Sequence, residues 1–492
     1  MKTFLIRGLP ASIQFDSWWM DGPPPPPAKE NPTERARPHG IERAILLAAL
    51  ILLADFLLWQ VPPGLSLAVF GLCLLLIGLS FSKTNGWGGV ILGTVFFLPG
   101  IEQIQTLSLG FFIAGLLTGG TWIALGGWPG IRHLWRSTAR FILLIPLHSA
   151  SDLRSALPRL TGTPQNLRRL VLGWALPVGL GLIFLSLMID ANPLVEGWLL
   201  RLDTPHLPAP DRLIFWAGMA LVIWPFLSLS NLRLTTPART TPLGPRRLPA
   251  ILNSASIRRS LILFNLMFAL QTAMDATYLW GGATLPDGLS YAQYAHRGAY
   301  PLLLTALLAG TFALIARPFT NHDRLMRALL LIWIGQTVLL VISSILRLEL
   351  YIGVYGLTRL RLAAGIWMVL VAIALTMLIW QVIARHSAAW LLARGALLGL
   401  ATLYATMFFS FDRAIARYNL THPVRVDARY ICHLGPAALP EIARYNQLFR
   451  TNFCAGYPRP DAPSFQDWRE WGFRDWRVLR SLAALNAEGT PL

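Results

Sequence analysis

Charge is what this sequence has least of. Only 13% of its 492 residues are Asp, Glu, Lys or Arg, against about a quarter in soluble chains, while 54% are hydrophobic. That imbalance excludes an ordinary soluble globule. Lysine is nearly missing as well, with 39 Arg to 3 Lys. The net charge of +18 sits in short arginine clusters between apolar runs, which is the pattern of a topology signal. No soluble segment joins a basic patch to a nucleic-acid motif, so nucleic acid is not an expected partner. Cysteine is scarce, at three residues, and none are paired as Cys-x-x-Cys. There is no Gly-Lys-Ser/Thr phosphate loop, no His-Glu-x-x-His and no Gly-x-Ser-x-Gly. Nucleotide hydrolysis and zinc proteolysis are therefore set aside, and neither metal nor cofactor is expected.

What the chain does have is apolar, charge-poor runs of roughly 20 residues, the length that crosses about 30 Å of hydrocarbon as a helix. They fall at 42–59, 63–82, 86–103, 107–127, 167–189, 212–229, 257–280, 297–316, 325–346, 360–383 and 388–408. The expected fold is all-α: a polytopic bundle of about eleven spans with a small helical extramembrane subdomain at the C-terminus. The third run is the weakest, being Gly-rich, with Pro99 inside it and Glu102 at its end. The arginines of 132–169 and 233–259 mark cytoplasmic loops. The opposite connection, Asp190 to Arg212, has four acids against two arginines. This pattern puts the N-terminus inside and the C-terminus outside.

Five regions follow. Residues 1–41 form a cytoplasmic tail that lacks a signal-peptide core and carries Pro23 to Pro27 as a stiff extended linker. Residues 42–127 are a first group of four spans, and 128–166 a basic cytoplasmic connector. Residues 167–408 are a second bundle, and 409–492 the outer subdomain. Within the connector, Arg132, Arg136 and Arg140 recur at every fourth residue, while Ile131, Leu134, Trp135 and Leu144 are apolar. That reads either as an amphipathic helix on anionic lipid headgroups or as a loop that only sets topology. The bilayer is the one partner composition demands; a protein partner is not identified.

Cys73 lies inside the second span as a small apolar residue. Cys432 and Cys454 fall in the outer tail, where oxidation is permitted; a disulfide between them and two unrelated thiols are both open. The tail repeats Ile-Ala-Arg-Tyr-Asn at Ile415–Asn419 and Ile442–Asn446, either one packing role used twice or coincidence. Trp468, Trp471 and Trp476 read as packing or interfacial anchors.

Polar residues concentrate where the seventh and eighth spans meet: Gln271, Asp275, Tyr278, Asp287, Tyr294, His296 and Arg297. At 100° per residue, Asn265, Gln271, Thr272, Asp275 and Tyr278 share one helix face, which must look into the bundle because a carboxylate facing lipid is costly. A second element carries Arg347, Glu349, Tyr355, Arg359 and Arg361. Three arginines on the outer side need partners in the protein, with Asp275, Asp287 and Glu349 the candidates. A structural ion-pair network is the first reading and a site for an anionic ligand the second. All eleven tyrosines lie after residue 277, six of them in these two elements, which marks a wet, aromatic outer vestibule.

The strings Leu279-Trp280-Gly281-Gly282, Leu285-Pro286-Asp287-Gly288, Tyr300-Pro301 and Tyr355 to Arg361 resemble the bacterial membrane-protein family called domain of unknown function 4173, related to number 4153. The resemblance covers the fifth to eleventh spans and the start of the tail. It implies a polytopic bacterial inner-membrane protein and brings no activity with it. The expected function is binding of a ligand, lipid or partner at the outer vestibule, in transport or signalling. An enzyme acting on a lipid-linked or periplasmic anionic substrate, with Asp275 or His296 as acid or base, is the alternative; an envelope scaffold is the third.

Overall fold

The computed structural model describes residues 39–82, 85–128, 130–131, 133–143, 209–229, 253–280, 304–305, 307–316 and 323–487, with single positions at 177, 180, 181, 184 and 319. Every regular element among them is helical. The polyproline run, most of the expected span at 167–189 and the loop 281–303 lie outside the described residues. The chain divides into two compact units, Met1–Leu53 with Ile145–Leu227, and Ala54–Leu144 with Ser228–Leu492.

The helices fall where the apolar runs do. They are α1 (His39–Leu58), α2 (Leu65–Phe81), α3 (Trp87–Glu102), α4 (Thr106–Leu125), α5 (Pro210–Leu227), α6 (Ser254–Asp275), α7 (Leu307–Ala316), α8 (Arg324–Tyr355), α9 (Arg359–Ile383) and α10 (Ala388–Phe408). Five of these, α4, α5, α8, α9 and α10, are long and apolar enough to cross a membrane. They expose large apolar side chains, among them Leu221, Ile332, Leu360, Trp380 and Leu392, so lipid is the solvent those faces suit. Side-chain caps set the starts. Asn253, Asp323, Thr358 and Ser387 accept backbone N–H groups of the first turns of α6, α8, α9 and α10, satisfying donors that a helix leaves unpaired.

In the first unit the described helices are most of α1 and the whole of α5. On α5, Ile223, Phe226 and Leu227 are buried, and Arg212 lies 5.5 Å from the Trp216 ring centre.

In the second unit, α3 and α4 pack backbone to backbone. Gly89 and Gly93 on one helix and Gly115 and Gly119 on the other form two small-xxx-small faces. A Cβ on Gly89 would lie 2.4 Å from the Gly119 carbonyl oxygen, and one on Gly119 would lie 2.7 Å from that of Gly89. The glycines that weaken the third run in sequence are thus its packing surface. Pro99 has no N–H, which leaves the Val95 carbonyl without its helical donor; the Tyr404 hydroxyl of α10 donates to it at 2.7 Å.

A hydrophobic core lies among α6, α7, α8 and α9. At its centre Trp333 of α8 is ringed by Phe264, Phe268 and Phe312 at 5.2–5.7 Å between ring centres. Ser254 faces Met326 and Asp275 faces Arg347, so α6 and α8 run parallel. The helix over 133–143 buries Ser137, Thr138 and Phe141 and exposes Trp135, Arg136, Arg140, Ile142 and Leu143.

The tail is helical: α11 (Phe411–Thr421), α12 (Ala428–Cys432), α13 (Leu439–Phe449) and α14 (Phe473–Ala487), with tight turns at Pro436–Ala438 and Trp468–Glu470. The pentapeptide repeat plays one role twice. Ile415 and Ile442, with Ala416 and Ala443, are buried in the tail cores, while each Asn holds a loop: Asn419 bonds Leu357 and Asn446 accepts the Phe453 N–H. A disulfide joins Cys432 and Cys454 across a Cα separation of 5.8 Å.

Candidate functional site

Two parallel helices, α6 and α8, bring the first set of polar groups together. Asp275 is the last residue of α6 and Arg347 lies about two turns before the end of α8; both are buried, and the guanidinium Nη2 bonds the Asp275 Oδ1. The Gln271 amide donates to the same oxygen at 3.1 Å. Directly after Asp275 the backbone widens into a π-helical turn, Ala276–Trp280, a feature that recurs at functional sites.

Below this pair a polar seam runs back along both helices. Asn265, Thr272 and Asp275 on α6 keep the spacing i, i+7, i+10, and Trp333, Gln336, Ser343 and Arg347 on α8 keep i, i+3, i+10, i+14, so each set occupies one face. The Asn265 amide donates to the Leu261 and Leu329 carbonyls, at 2.7 and 3.0 Å, which turns its oxygen away from both. That oxygen, the Thr272 hydroxyl, the Gln336 carbonyl oxygen and the Trp333 indole N–H are buried and make no hydrogen bond among the described residues.

A second set belongs to the junction of α8, α9 and the tail. Gly356 ends α8 at φ +74°, and a Cβ there would lie 2.7 Å from the Asn419 Oδ1, so backbone conformation and close approach both call for glycine. Asn419 clamps both peptide groups of Leu357, accepting its N–H at 2.6 Å and donating to its carbonyl at 2.8 Å. Arg359 makes a two-point bond to Asp412, at 2.6 and 2.7 Å, and its N–H bonds the Tyr430 hydroxyl. Arg361 donates to the Tyr355 and Gly356 carbonyls and lies 4.5 Å from the Tyr351 ring centre. Tyr355 packs on Tyr351 at 4.9 Å, and Glu349 is exposed.

The sequence candidates therefore separate. Gln271, Asp275 and Arg347 meet in the helix pair. Tyr355, Arg359 and Arg361 sit at the junction, where Asp412 and backbone carbonyls, rather than Glu349, take Arg359 and Arg361. Asp287, Tyr294, His296 and Arg297, and the Tyr278 side chain, fall outside the described residues.

A third set was missed. Arg474 of α14 reaches Glu102 at 3.1 Å, Gln103 at 2.8 Å and the Met407 carbonyl at 2.5 Å, and Arg477 bonds Glu102 as well. Arg469 bonds the Phe56 carbonyl near the end of α1 and lies 5.0 Å from the Phe56 ring centre, while the Trp471 carbonyl accepts the first N–H of α2 at 2.9 Å. The tail thus caps the C-terminal ends of α1, α3 and α10 and the start of α2, supplying partners for groups that helix ends leave open. The signal for it was Glu102, a lone acid closing an apolar run. Hydrogen bonds from Arg469 hold the Asp467 carboxyl below the usual carboxylate range. Burial pushes Asp475 above it, an effect Arg474 offsets and Glu102 reinforces. No group of three His, Cys, Asp or Glu among the described residues could hold a metal ion.

The family model described as Domain of unknown function (DUF4153) matches residues 43–445, reaching back through α1 and forward into α13. The chain belongs to that family. No curated protein matches it, and no solved structure does.

Proposed function

Membership of a family of unknown function leaves the chemistry to the residues, and we propose a multi-pass bacterial inner-membrane protein that binds a ligand where α6 and α8 end, in transport or signalling. The bundle crosses the bilayer about eleven times, a count that keeps the expected spacing of runs of roughly 20 residues. Parity supports it. The ends of α3 and α10 meet at Arg474 and α6 runs parallel to α8, so an odd number of crossings separates each pair; α7 between α6 and α8 fits. The arginine-rich loops lie on the cytoplasmic leaflet and the tail outside, where its disulfide forms. The exposed Trp135, Arg136 and Arg140 suit anionic headgroups on the inner leaflet. The strings around Trp280 and Tyr355 further suggest kinship with the 4173 family.

The observation that carries the proposal is the buried Asp275–Arg347 pair inside helices whose neighbours are apolar, since ionisable groups at such depth mark a pathway or a ligand site. Asp275 gives one oxygen to both Gln271 and Arg347, which suits a held recognition group better than a free base. Native mass spectrometry of the protein extracted from membranes tests it. A metabolite or lipid retained by the wild type and lost from D275N/R347Q supports the reading; identical spectra from both, with the fold intact, reject it.

A further inference from the structure

The seam between α6 and α8 is polar over only half its length. Gln336 stands at the middle of the apolar stretch 325–346, and from there to Arg347 the axis rises roughly 16 Å, about half the hydrocarbon thickness. Over that half, buried Ser343 and Ser344 join Gln336, Thr272 and the ion pair. Over the other half the same faces carry Ile257, Leu261, Met326 and Leu330, all buried and apolar. Trp333 and its three phenylalanines lie at the boundary.

Polar atoms left unmatched in an apolar surround are costly, and four that find no partner among the described residues share this seam: three oxygens that accept and one N–H that donates. Water is the small molecule that satisfies both kinds. We infer that the α6–α8 seam is an aqueous half-channel, opening beside Asp275–Arg347 and floored at mid-membrane by the Trp333 cluster, and that it takes water and small hydrogen-bond-donating solutes. It rests on the reading of these helices as membrane-spanning with their C-terminal ends outward. The ion pair stands at its mouth, so a solute with donors passes the carboxylate before it meets the Thr272 and Gln336 oxygens.

Thiol accessibility tests this in the full-length protein. In a C73S background, with the other two cysteines bonded to each other, T272C and Q336C are each treated in right-side-out vesicles with a charged, membrane-impermeant methanethiosulfonate. L266C, on a residue 70% exposed on the outer surface of α6, reports lipid, and S464C reports the tail. The thiolate is the reacting species, and a thiol in lipid stays protonated, so T272C and Q336C should be modified about tenfold faster than L266C. Silence at both positions, with S464C modified and wild-type gel-filtration behaviour, overturns the half-channel and leaves the membrane reading standing. Modification of S464C only from inverted vesicles overturns the outward orientation, and the half-channel with it.

Discussion

Asp275 and Arg347 show how a charge survives in an apolar bundle: each removes the other's cost. Breaking a buried pair from one side is expensive because the remaining charge stays buried. R347A should therefore lose on the order of 3–5 kcal/mol, whereas D275N/R347Q, which removes both charges, should lose clearly less. Thermal unfolding in detergent, followed by tryptophan fluorescence, checks this; equal losses would show that the two groups do not act together. Two carboxylates of the tail should respond to pH in opposite senses. Asp467 has a lowered pKa, so its contribution is present above the ordinary carboxylate range and is lost as pH falls through the folded value. Asp475 has a raised one, so its contribution is present at acid pH and is lost as pH rises through the folded value. D475N should stabilise the protein at neutral pH and not at pH 4, and D467N should destabilise it at neutral pH alone, both read as melting temperature.

At the scale of the helix, the glycine faces of α3 and α4 leave no room for a side chain. G119V would drive a branched side chain against the Gly89 carbonyl, and overpacking of this kind costs about 1–3 kcal/mol. G110V, on the same helix where a Cβ meets nothing within 4 Å, is the control; unchanged melting for both would mean that the two backbones do not touch. Helix positions were legible in the sequence because apolar length decides them. Their ends were less so. The ninth run stops at residue 346 because Arg347 and Glu349 end its hydropathy, yet α8 continues to Tyr355, since backbone bonding does not need lipid and the tail supplies partners beyond it. Asp275 was readable as a partner for Arg347 because both are ionisable groups within apolar runs. Asp412 and Glu102 were not: their arginines lie 53 and 372 residues away, and no local period encodes a contact at that separation.

For the whole molecule, the tail is the piece that holds helices from distant parts of the chain. Its disulfide closes a loop of separation 22, which corresponds to about 3 kcal/mol of chain entropy. C432S/C454S should lower the stability of the tail by roughly that amount, seen as earlier proteolysis after residue 409. Mass tagging of the wild-type thiols in cells should find only Cys73 reactive. Helix α8 carries a consequence of its own. It is one unbroken rod of 32 residues, roughly 48 Å long, with its far end pinned through Leu357 and Arg361 and its middle lining the seam. A rod of this kind transmits torque: each residue of rotation is 100° of azimuth, enough to carry Arg347 away from Asp275. Whatever twists the tail at Leu357 and Arg361 therefore turns Arg347 against Asp275.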